Sequence, residues 1–427
     1  MQWQGNRLGH RIIWQRAKDY VARYQPLVIG VTGSIHRHAI SAAIGLVLKG
    51  ERTVYVPDIP HESPYDVALG ILGVSKPADH PRWFQLLTRS LVREIIEEEP
   101  NTLVLEISAR RPGDIDWLAK QLPYSIAVVT DVGAVRTELF DTKEMVAHEM
   151  TSLVTTLSKE GTAVLYTDDP LISAMATLTP ANVMSYGEGF SADVRLLRLQ
   201  RLSHGGLAGE IAIDGSVKDI HLRHVVNRSQ AIALISALAV ARTLGVDSDT
   251  AIQRLQAYVP PKGHSNLMAG LKGCRVIDDS HDASPESMLT ALETLRAIPE
   301  NASRESEQSR FRVAGGAIVT QGHSRAIRRV AILGDITDLG HESYRVHKDI
   351  GKLAAEVAQV VICVGQSMRH AAAEAIFHGA DVHHFDDARN VGKWLVDFLN
   401  SHDLVLVCGS RTMQMDEVVR RIAGKVN

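Results

Sequence analysis

Residues 26–50, PLVIGVTGSIHRHAISAAIGLVLKG, constrain the fold more than any other stretch. Leu27, Val28, Ile29 and Val31 form the short apolar run of a buried strand. After Gly30 and Gly33, the residues Ala39, Ile40, Ala43, Ile44, Val47 and Leu48 recur at helical spacing. Strand, glycine turn and helix N-terminus together aim backbone N–H groups at one point, a layout that suits phosphate. A working loop of this kind also needs glycine for close approach, lysine for the outer phosphates and Ser or Thr for magnesium. His36, Arg37 and His38 stand in those places. The frame of a nucleotide-binding loop is therefore present without its chemistry. A packed turn with no ligand and a residual anion site through Gly33, Ser34 and Arg37 are both open readings.

The rest of the chain repeats the alternation of strand and helix. Strands are expected at 53–59, 102–109, 125–133, 162–169 and 182–187, and helices at 83–98, 114–121, 143–158 and 228–244. Apolar strands alternating with helices predict a parallel sheet covered on both faces. Residues 193–221 alternate in polarity and read as a short antiparallel insert. Pro260-Pro261 marks a hinge, and a second α/β unit follows with strands at 274–278, 329–334, 359–364 and 403–407. Its helices are expected at 285–297, 344–358, 367–377 and 413–423. The polar run 299–328 reads as a surface loop.

A chain of 427 residues, 45% hydrophobic, is too long for one core, so two or three domains are expected. A net charge of −3 gives no electrostatic case for nucleic acid. Cys274, Cys363 and Cys408 are far apart and suit a reducing compartment, so the expected location is cytoplasmic. No apolar run is long enough for a spanning helix or a signal peptide. Residues 7–24 form a basic amphipathic pattern, read as a packing helix ahead of the first strand in preference to a membrane-surface helix.

Several motifs, in order, resemble the Mur ligases, and within them the branch that adds D-alanyl-D-alanine to the UDP-muramoyl tripeptide. VIDDSHDASPESMLTALETL (276–295), AILGDITDLGHESYRVHKDIG (331–351) and VLVCGSRTMQMDEVV (405–419) are similar to that branch's DDSYNANPDSM, LGDMLELGEES…H…G and VLVKGSRGMRME segments. LVLEISARRPGDIDWLA (103–119) resembles EMG…RPGEI, VVTDVGAVRTELF (128–140) resembles TNIGPAHLEGF, and residues 223–246 resemble the HNVxNALAAIAVALxLG helix. The resemblance implies a central parallel-sheet domain of P-loop type (26–259) and a smaller C-terminal α/β domain (260–427), with an N-terminal helix (1–25) where the family has a UDP-recognising domain. It also implies ATP and Mg²⁺, an acyl-phosphate intermediate and attack by an amine.

Carried over residue by residue, the family's ATP site is altered. Its G-T-x-G-K-T pattern falls on Gly33, Ser34, Ile35, His36, Arg37 and His38. The magnesium-binding Glu falls on Glu106 and is kept. The magnesium-binding His falls on Arg136, and the carbamylated Lys on Met150. Gly30, Gly33, Ser34 and Arg37 are the remaining candidates for nucleotide contact, with His224 and Asn227 near the adenine. Asp278, Asp279, Asp335, Ser410 and Arg411 match the acceptor side, while a family lysine becomes Cys408 and a family arginine becomes His264. Glu106 is expected to pair with Arg110, Arg111 or Arg136, and no metal site is expected. His36 and His38 are read as solvent-exposed. The Asp278-Asp279 pair suits either function or capping of the helix near Pro285. Segments 102–109 and 125–133 are expected to be adjacent parallel strands beside Gly33. Hence the expectation is a degenerate ligase-like protein that binds a partner ligase, or a small-molecule or peptide ligand in an interdomain cleft. The alternative is an active ATP-dependent ligase.

Overall fold

The computed structural model describes residues 7–57, 63–73, 100–109, 111–133, 140, 142–202, 206–281, 283–298, 327–337 and 339–424. The expected helix at 83–98 and residues 299–326 of the loop expected at 299–328 lie outside the described residues, and Arg328 at that loop's end already begins a strand. The chain divides into two compact units. One contains residues 1–197, 210–218 and 232–256; the other contains 198–209, 219–231 and 257–427.

The first unit opens with α1 (Arg7–Tyr24), β1 (Leu27–Thr32), α2 (Arg37–Val47), β2 (Val54–Tyr55) and α3 (Pro64–Ile71). β3 (Thr102–Glu106), α4 (Asp114–Ala119), β4 (Tyr124–Val129), α5 (Lys143–Thr155) and β5 (Thr162–Tyr166) continue the alternation. The short α6 (Pro170–Ser173) leads to β6 (Asn182–Gly187). β7 (Val194–Arg201), β8 (Leu207–Ile213) and β9 (Ser216–Leu222) complete a nine-stranded sheet in the order β2-β3-β1-β4-β5-β6-β7-β8-β9. Strands β3, β1 and β4 are buried along nearly their whole length, which is why they read as unbroken apolar runs. One expectation is corrected here: β3 and β4 do not pair with each other, because β1 lies between them, parallel to both. The expected insert is also modified. β7 first meets β6 in parallel, at Tyr186↔Val194, before the β8–β9 hairpin. Asp214-Gly215 makes that hairpin's two-residue turn with φ of 51° and 70°, the left-handed pair that such turns require.

Helix α1 is a packing helix. Its Ile13, Trp14, Ala17, Tyr20 and Val21 are buried in the same core as Leu103, Leu105 and Leu153. Among the described residues no helix is long and apolar enough to cross a membrane.

α7 (Arg228–Thr243) and α8 (Ser248–Leu255) precede a six-stranded sheet in the order β10-β11-β15-β12-β13-β14. Its strands are β10 (Asn266–Ala269), β11 (Arg275–Asp279), β12 (Arg328–Gly334), β13 (Val360–Val364), β14 (Asp381–Phe385) and β15 (Asp403–Cys408). The helices are α9 (Pro285–Ala297), α10 (Ser343–Val357), α11 (Met368–Phe377), α12 (Ala388–Phe398) and α13 (Met415–Ile422). β10 runs antiparallel to β11; the other pairs are parallel. The sequence reading omits β10, β14 and α12. Both strands are sheet edges with mostly half-buried side chains, so neither carries an apolar run.

His347, on α10, links two elements of this unit. It is fully buried. Its Nδ1 donates to the Ser343 carbonyl at 2.7 Å, which leaves Nε2 to accept the Ile336 N–H at 3.2 Å. Burial holds its pKa below the usual histidine value. The unfolded chain therefore takes up a proton near pH 6.5 that the folded ring resists, so stability is full above that pH and falls as pH drops below it. The unfolding midpoint of the wild-type chain should fall between pH 7.5 and 5 more steeply than that of His347→Gln. Equal slopes in the two proteins would remove His347 from the account.

Candidate functional site

The turn at Gly33 sits at the C-terminal ends of β1, β3 and β4, where open α/β sheets place ligands. The register Val31↔Glu106 sets the β3 carboxylate beside the end of β1. Gly30 has a different role from the expected one. A side chain there would press on the Tyr124 ring and Leu153, so this glycine serves packing inside the sheet. At Gly33 a side chain would strike the Thr130 hydroxyl. Gly33→Ala should therefore unfold or displace the loop, giving a lower unfolding midpoint. A midpoint unchanged from wild type would show that the turn has room.

The loop's polar groups are spent on one another. Ser34 N–H donates to the Asp131 carbonyl at 3.2 Å, and Ile35 N–H donates to Asp131 Oδ1 at 3.2 Å. Thr130 Oγ1 donates to the same carboxylate oxygen at 2.8 Å. Gly133 N–H donates to Ser34 Oγ at 2.7 Å. The Arg37 guanidinium curls back on its own loop, donating to the Gly33 carbonyl and, at 3.1 Å, to that of Ser34. His36 precedes α2 with φ 62°, a left-handed conformation unusual for a residue with a side chain. Burial drives its imidazole down to a pKa of about 4, so it is neutral at pH 7.

At this site Glu106 Oε1 lies 2.9 Å from His38 Nδ1. Arg110 and Arg136, two of the arginines expected to pair with Glu106, lie outside the described residues. His36 and His38, expected to be exposed, are half-buried. Met150 is buried among the apolar side chains of the core. The adjacent Glu149, which the sequence reading passed over, holds the start of α4: its carboxylate accepts Ile115 N–H at 2.7 Å and Gly113 N–H at 2.9 Å.

Asp131 was also passed over. Burial raises its carboxyl to about pH 6, against the lowering effects of Thr130, the Ile35 amide and the Arg37 charge. Its signal was present in the aligned motif, where TDVG stands for T-N-I-G: a neutral amide is replaced by an acid.

In the second unit the matched residues are occupied by the fold. Asn227 is buried and caps α7, its Oδ1 accepting Gln230 N–H at 3.2 Å; His224 is exposed. Asp278 accepts Gly263 N–H at 2.8 Å on one oxygen and Ser280 Oγ at 2.6 Å on the other. Asp279 Oδ1 accepts Ser265 N–H at 2.9 Å and Ser265 Oγ at 3.0 Å, while the Cys408 thiol lies 3.8 Å from Oδ2. Neither aspartate caps α9; Ser284 does, in a reciprocal bond with Ser287. Asp335 accepts Met368 N–H at 2.7 Å and Ser367 N–H at 3.2 Å, and so caps α11. Ser410 Oγ pairs with Thr412 Oγ1 at 2.6 Å. The side chain of Arg411 lies outside the described residues.

A larger, mostly parallel sheet and a smaller one, each flanked by helices, with a phosphate-loop frame at the strand ends of the first, make this a two-unit α/β protein of P-loop-like layout. The chain matches the Mur ligase middle domain over residues 77–240 and the Mur ligase, glutamate ligase domain over residues 317–411. It belongs to the Mur ligase family. A UDP-N-acetylmuramoyl-tripeptide–D-alanyl-D-alanine ligase of Mycobacterium leprae is 27% identical over 362 residues, 79% of this chain and 61% of that protein. The Mycobacterium tuberculosis ligase of the same name is 28% identical over 293 residues, 65% of this chain and 50% of that protein. The chain thus spans between half and 61% of the length of these relatives. In fold it is similar to the MurF ligase of Thermotoga maritima in complex with ADP, with a TM-score of 0.73 at 21% identity, covering 99% of this chain and 84% of that one. MurF from Acinetobacter baumannii gives a TM-score of 0.75 at 18% identity, covering 96% and 80%.

Proposed function

We propose that this chain is a MurF-like relative of the ligases that build peptidoglycan precursors, that it has lost their ATP chemistry, and that it acts by binding. What it binds, on this reading, is a partner ligase or a ligand resembling a wall precursor, in the cytoplasm. One observation carries the proposal: the Ile35 amide, which a phosphate loop keeps for its nucleotide, is given to the Asp131 carboxylate. The residues around it fit Mg·ATP poorly. Arg37 faces its own carbonyls, and the imidazole of His38, next to Glu106, is a weak ligand for a hard cation.

A second reading, an active ATP-dependent D-alanyl-D-alanine-adding ligase, is favoured by Glu106, which keeps its family position at the end of β3 beside the loop. Calorimetric titration with ATP, with and without Mg²⁺, separates the two. The binding-protein reading expects no magnesium-dependent heat. Micromolar, magnesium-dependent affinity would establish the second reading in its place.

A further inference from the structure

We propose that Asp131 is a built-in counter-anion whose carboxylate fills the anion-facing side of the Gly33–Arg37 turn and holds the loop closed against oxyanions. Two consecutive loop amides end on this one residue: Ser34 N–H on its carbonyl and Ile35 N–H on its carboxylate. Thr130 Oγ1 fixes the carboxylate at 2.8 Å, and the Gly133 N–H to Ser34 Oγ bond ties the chain leaving β4 to the same loop. Arg37 supplies positive charge beside it while its N–H groups hold the Gly33 and Ser34 carbonyls. An incoming oxyanion has to take the Ile35 amide from a carboxylate that is already seated, and it has to do so next to that carboxylate's charge. The loop is self-occupied, which differs from being merely stripped of ligands.

Protonation is the built-in way to lift that block. Burial sets the Asp131 carboxyl at about pH 6, inside an accessible range. Among the described residues, the charged and titratable groups around it include Arg37 and His36 in the loop and Tyr186 on β6. Asp169 lies after β5, with Oδ2 3.4 Å from Val132 N, and the His38–Glu106 pair lies at the end of β3. His36 stays neutral down to about pH 4 and so does not change its charge between pH 7.5 and 5.

The test uses the full chain and inorganic sulfate, whose charge is constant across this range, against chloride at matched ionic strength. Binding is read by calorimetry and by the NMR shift of the Ile35 amide. Asp131→Asn keeps the acceptor oxygen and removes the charge. It should bind sulfate at least tenfold more tightly than wild type at pH 7.5, with Ile35 N–H shifting on titration. Wild type should tighten by a similar factor between pH 7.5 and 5, and Asp131→Asn should lose most of that dependence. Asp131→Ser provides the same comparison should the asparagine variant fold poorly, and the wild-type pH series needs no variant. If a folded neutral variant binds sulfate no better than wild type, or keeps the full pH dependence, the inference is overturned. Because neither nucleotide nor magnesium enters this test, it can fail while the reading of lost ATP chemistry stands, and the reverse.

Discussion

Supplied with Mg·ATP, a UDP-muramoyl tripeptide and D-alanyl-D-alanine, the wild-type chain should release phosphate at least about 10⁴-fold more slowly than an intact ligase. The figure follows from the loss of two preorganised charge-stabilising contacts at about 10²–10³ each. The substitutions at positions 36, 37, 38, 136 and 150 offer more than two such losses. Reverting all of them (His36→Gly, Arg37→Lys, His38→Thr, Arg136→His, Met150→Lys), together with Asp131→Asn, should recover measurable Mg·ATP binding. Single reversions should do almost nothing, because residues of one cluster act together. Met150→Lys carries a stability cost, since Met150 is buried in the core, so folding of each variant has to be checked by its unfolding midpoint. Turnover at ligase-like rates by the unmodified protein would falsify this account.

The second large effect is expected in the other unit. Asp278→Ala strands the buried Gly263 N–H, and Asp279→Ala strands the Ser265 N–H. Leaving a buried donor unpaired costs about 1–3 kcal/mol, with more where its partner is charged. At about 2–4 °C per kcal/mol for a unit of this size, a loss of about 3 kcal/mol lowers the unfolding midpoint by about 6–12 °C. Asparagine should not rescue fully, because its amide turns a donor toward donors. These carboxylates match acceptor-side residues of the family, so the outcome decides between two roles. A variant that keeps its midpoint but loses binding of a precursor-like ligand would make them ligand groups and not struts.

What the sequence could show of all this depended on the range of the interaction. The β1–turn–α2 frame was readable because its signals are local: an apolar run, two glycines and a 3.6-residue period within 25 positions. The role of Asp131 was not, since its partner Ile35 lies 96 residues away and meets it only because β1 and β4 pair. The same holds for Asp279. The antiparallel pairing of β10 with β11, at Asn266↔Asp278, carries Ser265 to it, and β10 itself gave no pattern because it is a half-buried edge. Glu106 was legible as a retained acid at a strand end. Its neighbour His38, 68 residues away in the chain, meets it only in the folded protein, which no local pattern shows.

The backbone at position 36 has a further meaning. Its φ of 62° is the turn that glycine makes without cost, and a residue with a Cβ adopts it against a penalty of about 1–2 kcal/mol. A glycine would take this path without strain, so His36→Gly leaves the turn's geometry in place and relieves the backbone that β1 hands to α2.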